Sequence, residues 1–406
     1  IVVTTKRPEV GRLKVQAEVG LQIEAPDLSS YNLLNAAEKL ELERTVGLYD
    51  AASAVYQLKR QQAYADKLAL VNSGVNTDWI AKPVHTGVGQ NYKLRVEGGA
   101  NEFRWGVSLS YNNITGAMKG SERNNFNGGI TLMYNKKNIA IRNYTSIGIN
   151  KSINSPYGQF STYTKMQPYY SPYDAEGNII KYLPNFYMSS NDEINPLFDA
   201  SLNSKDETGY QEIANNFAID WTIIEGLILR GQFGISSNIG TSDKFLPAAH
   251  SAFAKYTGDD IMRKGSYTKG DSHTNNIDGT ITLSYNKLFA DKHLLYVGLN
   301  YEIFSSNYEN NLYGAEGFFS ENQNNIGNAV QYTNGGKPSS VSTKSHRIGF
   351  TGNANYTYDN RYFVDLSYRI DGSSEYGSEK KYSPFWSAGL GWNLHNEGFI
   401  RNLNIF

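Results

Sequence analysis

From Arg12 to Glu24 the chain alternates apolar and polar residues without a fault. Leu13, Val15, Ala17, Val19, Leu21 and Ile23 fall on one side, and Lys14, Gln16, Glu18, Gly20, Gln22 and Glu24 on the other. Successive side chains of an extended strand point to opposite faces, so an unbroken period of two is a strand with one greasy and one wet face. Most strands of soluble proteins are about half as long, whereas roughly ten tilted residues cross the hydrocarbon core of a bilayer. The pattern points to a wall with lipid along one face.

The same alternation recurs along the chain. Phe103, Trp105, Val107, Leu109 and Tyr111 form one run; Phe126, Ile130, Leu132 and Tyr134 form another; Ile139, Ile141, Ile147 and Ile149 follow. Later runs centre on Phe217, Leu229, Ile281, Leu299, Phe350, Leu366 and Leu390, and with the shorter Tyr92, Leu94, Val96 they make twelve strands. Tight turns at Gly98 to Asn101, Asn135 to Asn138, Glu225-Gly226, Lys287 to Lys292 and Asp359-Asn360 alternate with long loops at 25–90, 152–208, 241–273 and 307–343. Shorter loops at 114–122 and 372–383 lie on the same side as the long ones. Short turns on one side and long loops on the other orient an outer-membrane barrel, periplasm on the short side and exterior on the long side. Phe103, Tyr134, Trp221, Tyr285, Tyr358, Tyr362 and Trp392 bracket the short turns, as an interfacial girdle does. The expected fold is all-β, an antiparallel up-and-down transmembrane β-barrel.

One stretch departs from this period. Leu33 to Val71 is rich in Ala, Leu, Glu, Lys and Gln at helical spacing, which predicts two short helices within about 31–72, inside the first exterior loop. They serve either as a cap on the rim or as an arm for a partner. A mean hydropathy of −0.49 does not argue against a membrane wall, because each strand dilutes its own apolar face. The formal net charge of −1 argues against nucleic acid as a partner. With no Cys, disulfides, thiolate metal sites and cysteine nucleophiles are excluded.

Catalytic chemistry finds no support in the spacing. The six His, at 85, 250, 273, 293, 346 and 395, form no metal-ligand pair, and no H-E-x-x-H, P-loop or G-x-S-x-G occurs. The inward carboxylates Glu18, Glu24, Asp220, Asp278, Glu302 and Asp365 read as lumen polarity, and Asp174 to Asn178 as a turn. No catalytic residue, metal or cofactor is expected. Ligand candidates lie in the 152–208 loop at Tyr157, Tyr163, Tyr169, Tyr170 and Tyr173, with Tyr182 and Tyr187 in the same loop. Flat aromatic faces with a polar tip suit sugar rings, and equally suit packing of the loop on itself or on another protein. Phe318 and Phe319 are expected to make a protein contact.

Several motifs converge on one family. Ile1-Val2-Val3-Thr4-Thr5-Lys6 resembles the end of a plug domain running into a barrel; Leu34-Asn35-Ala36-Ala37-Glu38 resembles a segment of the first exterior loop. Asn76-Thr77-Asp78-Trp79, then Gln90-Asn91-Tyr92 and Val96-Glu97-Gly98-Gly99, is similar to an "NTDW…QNH…VSGG" pattern. Arg369-Ile370-Asp371-Gly372-Ser373-Ser374-Glu375-Tyr376-Gly377, followed by Pro384 to Trp392, resembles an "R-x-D-G-S-S-x-F-G…P-x-x-S-x-G-W" block, with Tyr376 where Phe is common. Together they resemble the SusC/RagA-type TonB-dependent transporters of Bacteroidetes, over nearly the whole chain and in order.

The resemblance implies that residues 1–8 are the last strand of a plug and 9–406 a partial barrel, part of a plugged wall of about 22 strands. It further implies a bacterial outer-membrane location and a SusD-like surface lipoprotein as lid. The TonB complex would be engaged through an N-terminal region beyond this chain, and the cargo would be an oligosaccharide or a peptide. For Asp371, Gly372, Ser373, Ser374, Tyr376 and Gly377 a structural role in closing their loop is expected. A passive porin and an adhesion barrel are the alternative readings.

Overall fold

A computed structural model of the chain describes residues 8–184, 193–377 and 379–401; residues 1–7, the bulk of the expected plug strand, and Tyr187 lie outside them. Twelve long strands follow one another as β1 (Gly11–Glu24), β2 (Gly87–Gly99), β3 (Phe103–Thr115), β4 (Glu122–Lys136), β5 (Ile139–Ile153) and β6 (Lys205–Ile224). They continue as β7 (Leu227–Leu246), β8 (Ser266–Phe289), β9 (His293–Glu316), β10 (Ser339–Tyr358), β11 (Tyr362–Ser373) and β12 (Tyr382–Trp392). Each pairs antiparallel with the next in a single up-and-down sheet, and a two-residue strand, Gln331–Tyr332, adds to β9. Among the described residues β1 and β12 each have one strand neighbour, so the sheet they form is open.

Register puts like with like. Val15 faces Val96, which faces Val107, which faces Ile130; the next strand over pairs Ile141 with Ile219. A one-residue slip would move every apolar side chain to the wet face, so the alternation itself fixes the pairing. The apolar face stays exposed, with Val19 at 75% and Leu390 at 85%. An apolar surface shared by twelve strands far exceeds the few hundred Å² that soluble monomers tolerate; it is a lipid-facing wall. The opposite face carries ion pairs between strands: Lys93 with Glu18 at 2.8 Å and Arg142 with Asp220 at 2.6 Å join neighbours, and Arg369 reaches across β10 to Glu302 at 3.0 Å.

Two exterior loops are shorter than the sequence predicts. β8 and β9 each run 24 residues, and the expected loops at 241–273 and 307–343 shrink to 247–265 and 317–338. Such strands reach roughly 80 Å at about 3.4 Å per residue, well beyond a bilayer. Above Ile277 and Ile303 the outward positions become Asn275, His273, Asn307 and Glu309. Once lipid is left behind the apolar alternation stops, but the backbone ladder does not.

The short turns are made by local chemistry. Asp359 and Asn360 both adopt positive φ, 49° and 52°, and the Arg361 N–H donates to the Tyr358 carbonyl at 2.8 Å. Two positive-φ residues make the turn whose twist suits a hairpin. Beside it Tyr358 stacks on Tyr362, and Tyr362 on Trp392, at 6.5 and 6.0 Å. The aromatic girdle at this end is thus a continuous row across three strands.

The expected helices are present as α1 (Ala36–Thr45) and α2 (Ala54–Asn72), the second longer than predicted at 19 residues. Asn35 caps α1: its side chain accepts from the Glu38 N–H, and Glu38 accepts from the Asn35 N–H, a reciprocal capping box.

Candidate functional site

The exterior ends of β1 to β6 carry two large loops, and they are joined into one body. Asn76 Oδ1 accepts from the Ala36 N–H at 3.0 Å. The Thr77 N–H donates to the Pro168 carbonyl and its hydroxyl to the Tyr170 carbonyl, at 2.8 and 2.7 Å. Trp79 is buried, and its Nε1–H donates to the Gln167 carbonyl at 2.8 Å. Asn76-Thr77-Asp78-Trp79 is therefore a clasp between the first and second loops. Its mix of hydrogen-bonding residues and one large aromatic was the available signal, but the partners lie about ninety residues away and could not be read from the sequence.

Beneath the clasp is a polar knot. Lys67, fully buried, donates to Glu43 Oε2 at 3.1 Å and to the hydroxyls of Tyr49 and Tyr169, each at 3.0 Å. Tyr49 and Tyr169 in turn donate to the two carboxylate oxygens of Glu43, at 2.5 and 2.9 Å. Burial opposes the charge on Glu43, yet the Tyr49 hydrogen bond and the Lys67 ammonium outweigh it and hold the carboxyl below its ordinary value. Burial pushes Lys67 down, partly offset by Glu43. The knot has no signature in the sequence, because its members come from α1 (Glu43), the segment between the helices (Tyr49), α2 (Lys67) and the second loop (Tyr169).

The tyrosines expected to face a ligand divide. Tyr163, Tyr169 and Tyr170 are at most 1% exposed, in a core with Ala36, Trp79, Leu183 and Leu197. They stand where a ligand reaches them only if the loops part, so for these three packing is the role that the structure displays. Burial also drives the Tyr163 phenol upward, keeping it neutral. Tyr157 packs against this core half-buried, and Tyr173 is 40% exposed with the Lys82 ammonium 5.6 Å from its ring centre. Between the two loops lies a cavity of about 520 Å³, lined by Tyr31, Asn35, Lys39, Asp78, Trp79 and Lys165 among others. Tyr31, absent from the sequence-based candidates, is exposed there and meets Phe160 edge-on at 5.5 Å. Asp174 closes a turn by accepting from the Asn178 and Glu176 N–H groups.

On the other exterior loops Phe318 is buried against Phe245 and Tyr267, at 5.1 and 6.3 Å between ring centres. This corrects the expectation of an intermolecular contact for Phe318: the neighbouring strand ends supply its partners. Phe319 is exposed.

The residues from Asp371 to Gly377 sit where β11 leaves the membrane. Asp371 points inward and pairs with Arg369 at 2.8 Å, while Arg369 also reaches Glu302 and the Thr351 hydroxyl. Ser373 Oγ accepts from the Glu375 N–H, and Ser374 Oγ from the His346 N–H on β10. A Cβ on Gly372 would lie 2.7 Å from the Tyr382 ring. Tyr376 is exposed, and Gly377 has open space around it.

No family model matches the chain. Among curated proteins it is 27% identical over 396 residues to TonB-dependent receptor P3 of Formosa agariphila, covering 91% of this chain and 36% of that one. It is 23% identical over 428 residues to the TonB-dependent receptor SusC of Bacteroides thetaiotaomicron, covering 100% and 39%. Among solved structures it resembles a chain of the RagAB peptide importer in the closed-closed state, with a TM-score of 0.73, 16% identity and coverage of 97% and 46%. Along nearly its whole length the chain is similar to the SusC/RagA-type TonB-dependent receptors. It spans less than half the length of the relatives it matches. Its twelve strands are outer-membrane β-barrel wall, like the matched part of those receptors. The relatives are receptors and transporters rather than enzymes.

Proposed function

We propose that the full-length receptor imports an oligomeric nutrient across the outer membrane, energised by the TonB complex and assisted by a SusD-like surface lipoprotein that lies over the clasped loops as a lid. The observation that carries this reading is the match along nearly the whole chain to TonB-dependent receptors, joined to a wall with large loops on one side only. Oligosaccharide is the favoured cargo, since the exposed Tyr31 and Tyr173 offer flat faces beside polar groups such as Asn35, Asp78 and Lys82. Peptide is the second reading, because a chain of similar fold serves a peptide importer. Tyr157 and Tyr173 remain the ligand-facing candidates of the second loop, and Asp371 to Gly377 are assigned to holding β11 against β10.

A strain lacking the receptor gene is offered labelled oligosaccharides and peptides in separate cultures. Loss of uptake of one class, restored by the gene, is expected. Unchanged uptake with reduced surface attachment would favour the adhesion alternative instead.

A further inference from the structure

Two cations are drawn together at the exterior ends of β2 to β5. The segment that follows the clasp runs against the loop between β3 and β4: the Lys119 N–H donates to the Pro83 carbonyl at 2.8 Å, and the Lys119 ammonium to the Lys82 carbonyl at 2.7 Å. Lys82 is tied to the clasp itself, its N–H donating to the Trp79 carbonyl at 3.1 Å. Each ammonium has a tyrosine of the second loop beside it. Lys82 Nζ is 5.6 Å from the ring centre of Tyr173, and Lys119 Nζ is 5.8 Å from that of Tyr157. A serine fixes the second of these pairs: the Ser155 hydroxyl donates to the Lys119 carbonyl at 2.6 Å and accepts from the Tyr157 N–H at 3.2 Å.

Among the described residues neither lysine forms an ion pair. The carboxylates of the adjoining segments are engaged by neutral donors. Asp78 accepts from the Ala81 N–H, Glu122 from the amides of Asn113 and Asn124, and Asp174 from the Asn178 and Glu176 N–H groups. On the wall below, by contrast, Lys93 and Lys151 are each matched by a carboxylate of the next strand. Like charges held at one junction repel, and both lysines are half-buried, where water and salt screen them less than at an open surface. An anion bound there removes that cost. The tyrosines supply what a sugar needs besides: a flat apolar face with a polar tip.

We infer that this junction selects acidic cargo, an oligosaccharide whose carboxylate or sulfate groups are held by Lys82 and Lys119 while its rings lie on Tyr157 and Tyr173. The inference rests on the import reading and narrows its cargo from oligosaccharide to acidic oligosaccharide. Discrimination is then a difference between two ligands of one shape: the acid meets both ammoniums, and its neutral counterpart leaves them unpaired.

The test measures binding to the purified full-length receptor in detergent by titration calorimetry, with two matched pairs of probes. One pair is the hexamer of galacturonic acid and its methyl ester; the other is a sulfated dextran hexamer and plain dextran of the same length. At low ionic strength at least one acidic probe should bind about tenfold or more tighter than its neutral partner, and the preference should shrink as salt is raised. Which pair shows the preference tells carboxylate from sulfate. The double variant Lys82→Gln, Lys119→Gln should bind acidic and neutral partners alike, whereas Lys82→Arg, Lys119→Arg should keep the preference. Heat-modifiable gel mobility checks that each variant barrel is folded. Equal binding of acidic and neutral probes, a preference that survives the glutamine pair in a folded barrel, or binding of a glutamate hexamer but of no acidic sugar would each overturn the assignment. Neutral sugars bound in preference to acidic ones would remove the acidic cargo alone; no sugar bound at all would remove the oligosaccharide reading with it.

Discussion

At the scale of single residues, the exterior loops are held by groups that hydrophobic patterning cannot reveal. Lys67 joins α2 to Glu43 of α1 and to Tyr169 of the second loop. Lys67→Met takes the buried cation from the Glu43 carboxylate and leaves it only the more distant Lys39 at 3.9 Å among the ion pairs described, a loss of about 3–5 kcal/mol in local stability. Hydrogen exchange should show α1, α2 and the 160–170 segment losing protection together while the strands keep theirs. Because the Glu43 carboxyl is held below its ordinary 4.5, its contribution is fully present above that pH and is lost as pH falls through the lower folded-state value. Proteolysis of the loops should therefore accelerate on acidification in the native protein and show a weaker pH response in Glu43→Gln. In the wall, the Phe363 ring lies over Gly391, in the space that a Cβ would need. Gly391→Ala forces the ring aside at a cost of about 1–3 kcal/mol, measurable as a lower unfolding midpoint in denaturant. Neither contact was legible beforehand: Lys67 reads as one more charge on a helix, and Gly391 as one of two glycines in its strand.

The elements were far more readable, because period and turn chemistry act over short distances. The alternation in β1, the Asp359-Asn360 turn and the Ala- and Leu-rich stretch that became α1 and α2 each carry their conformation locally. Legibility failed where the environment changed. The exterior halves of β8 and β9 have polar residues on both faces, so no period marks them; the backbone ladder carries them on, with side-chain bonds such as Ser306 to Asn276 and the packing of Tyr267 on Phe245 and Phe318. Face assignment makes a direct prediction for β3, where Val107 points to lipid and Ser108 to the lumen. Val107→Arg should destabilise the barrel by about 2–4 kcal/mol in a bilayer, and Ser108→Arg by much less. Comparing their folding into lipid vesicles checks this; equal costs would mean that the faces are misassigned. For α1, Asn35→Ala removes the cap that the Asn35 and Glu38 pair forms, a loss of about 1 kcal/mol, visible as faster exchange in the first turn of the helix.

At the scale of the whole molecule, what was legible is the wall. Twelve antiparallel strands, loops on one side and an aromatic row at the other followed from the sequence, and the likeness to the SusC/RagA-type receptors agrees with them. The candidate ligand surface was legible only in part. Tyrosine density marked the right loop, but density does not distinguish Tyr163, Tyr169 and Tyr170, which form its core, from Tyr173 at its surface. Burial in the second loop depends on α1 and on Trp79 of the first loop, a contact between segments far apart in the chain. An inward face built on ion pairs such as Arg142 with Asp220 suits a wall around a wet interior, and import against a gradient further needs an energy source. Energy dependence is therefore the most direct test of the proposed import. Cells expressing the full-length receptor are loaded with the labelled oligomer that the deletion strain fails to take up, with and without a protonophore that collapses the inner-membrane gradient. Accumulation above the external concentration that disappears on collapse is the predicted result; equal uptake with and without the gradient would contradict it and make the barrel a passive pore.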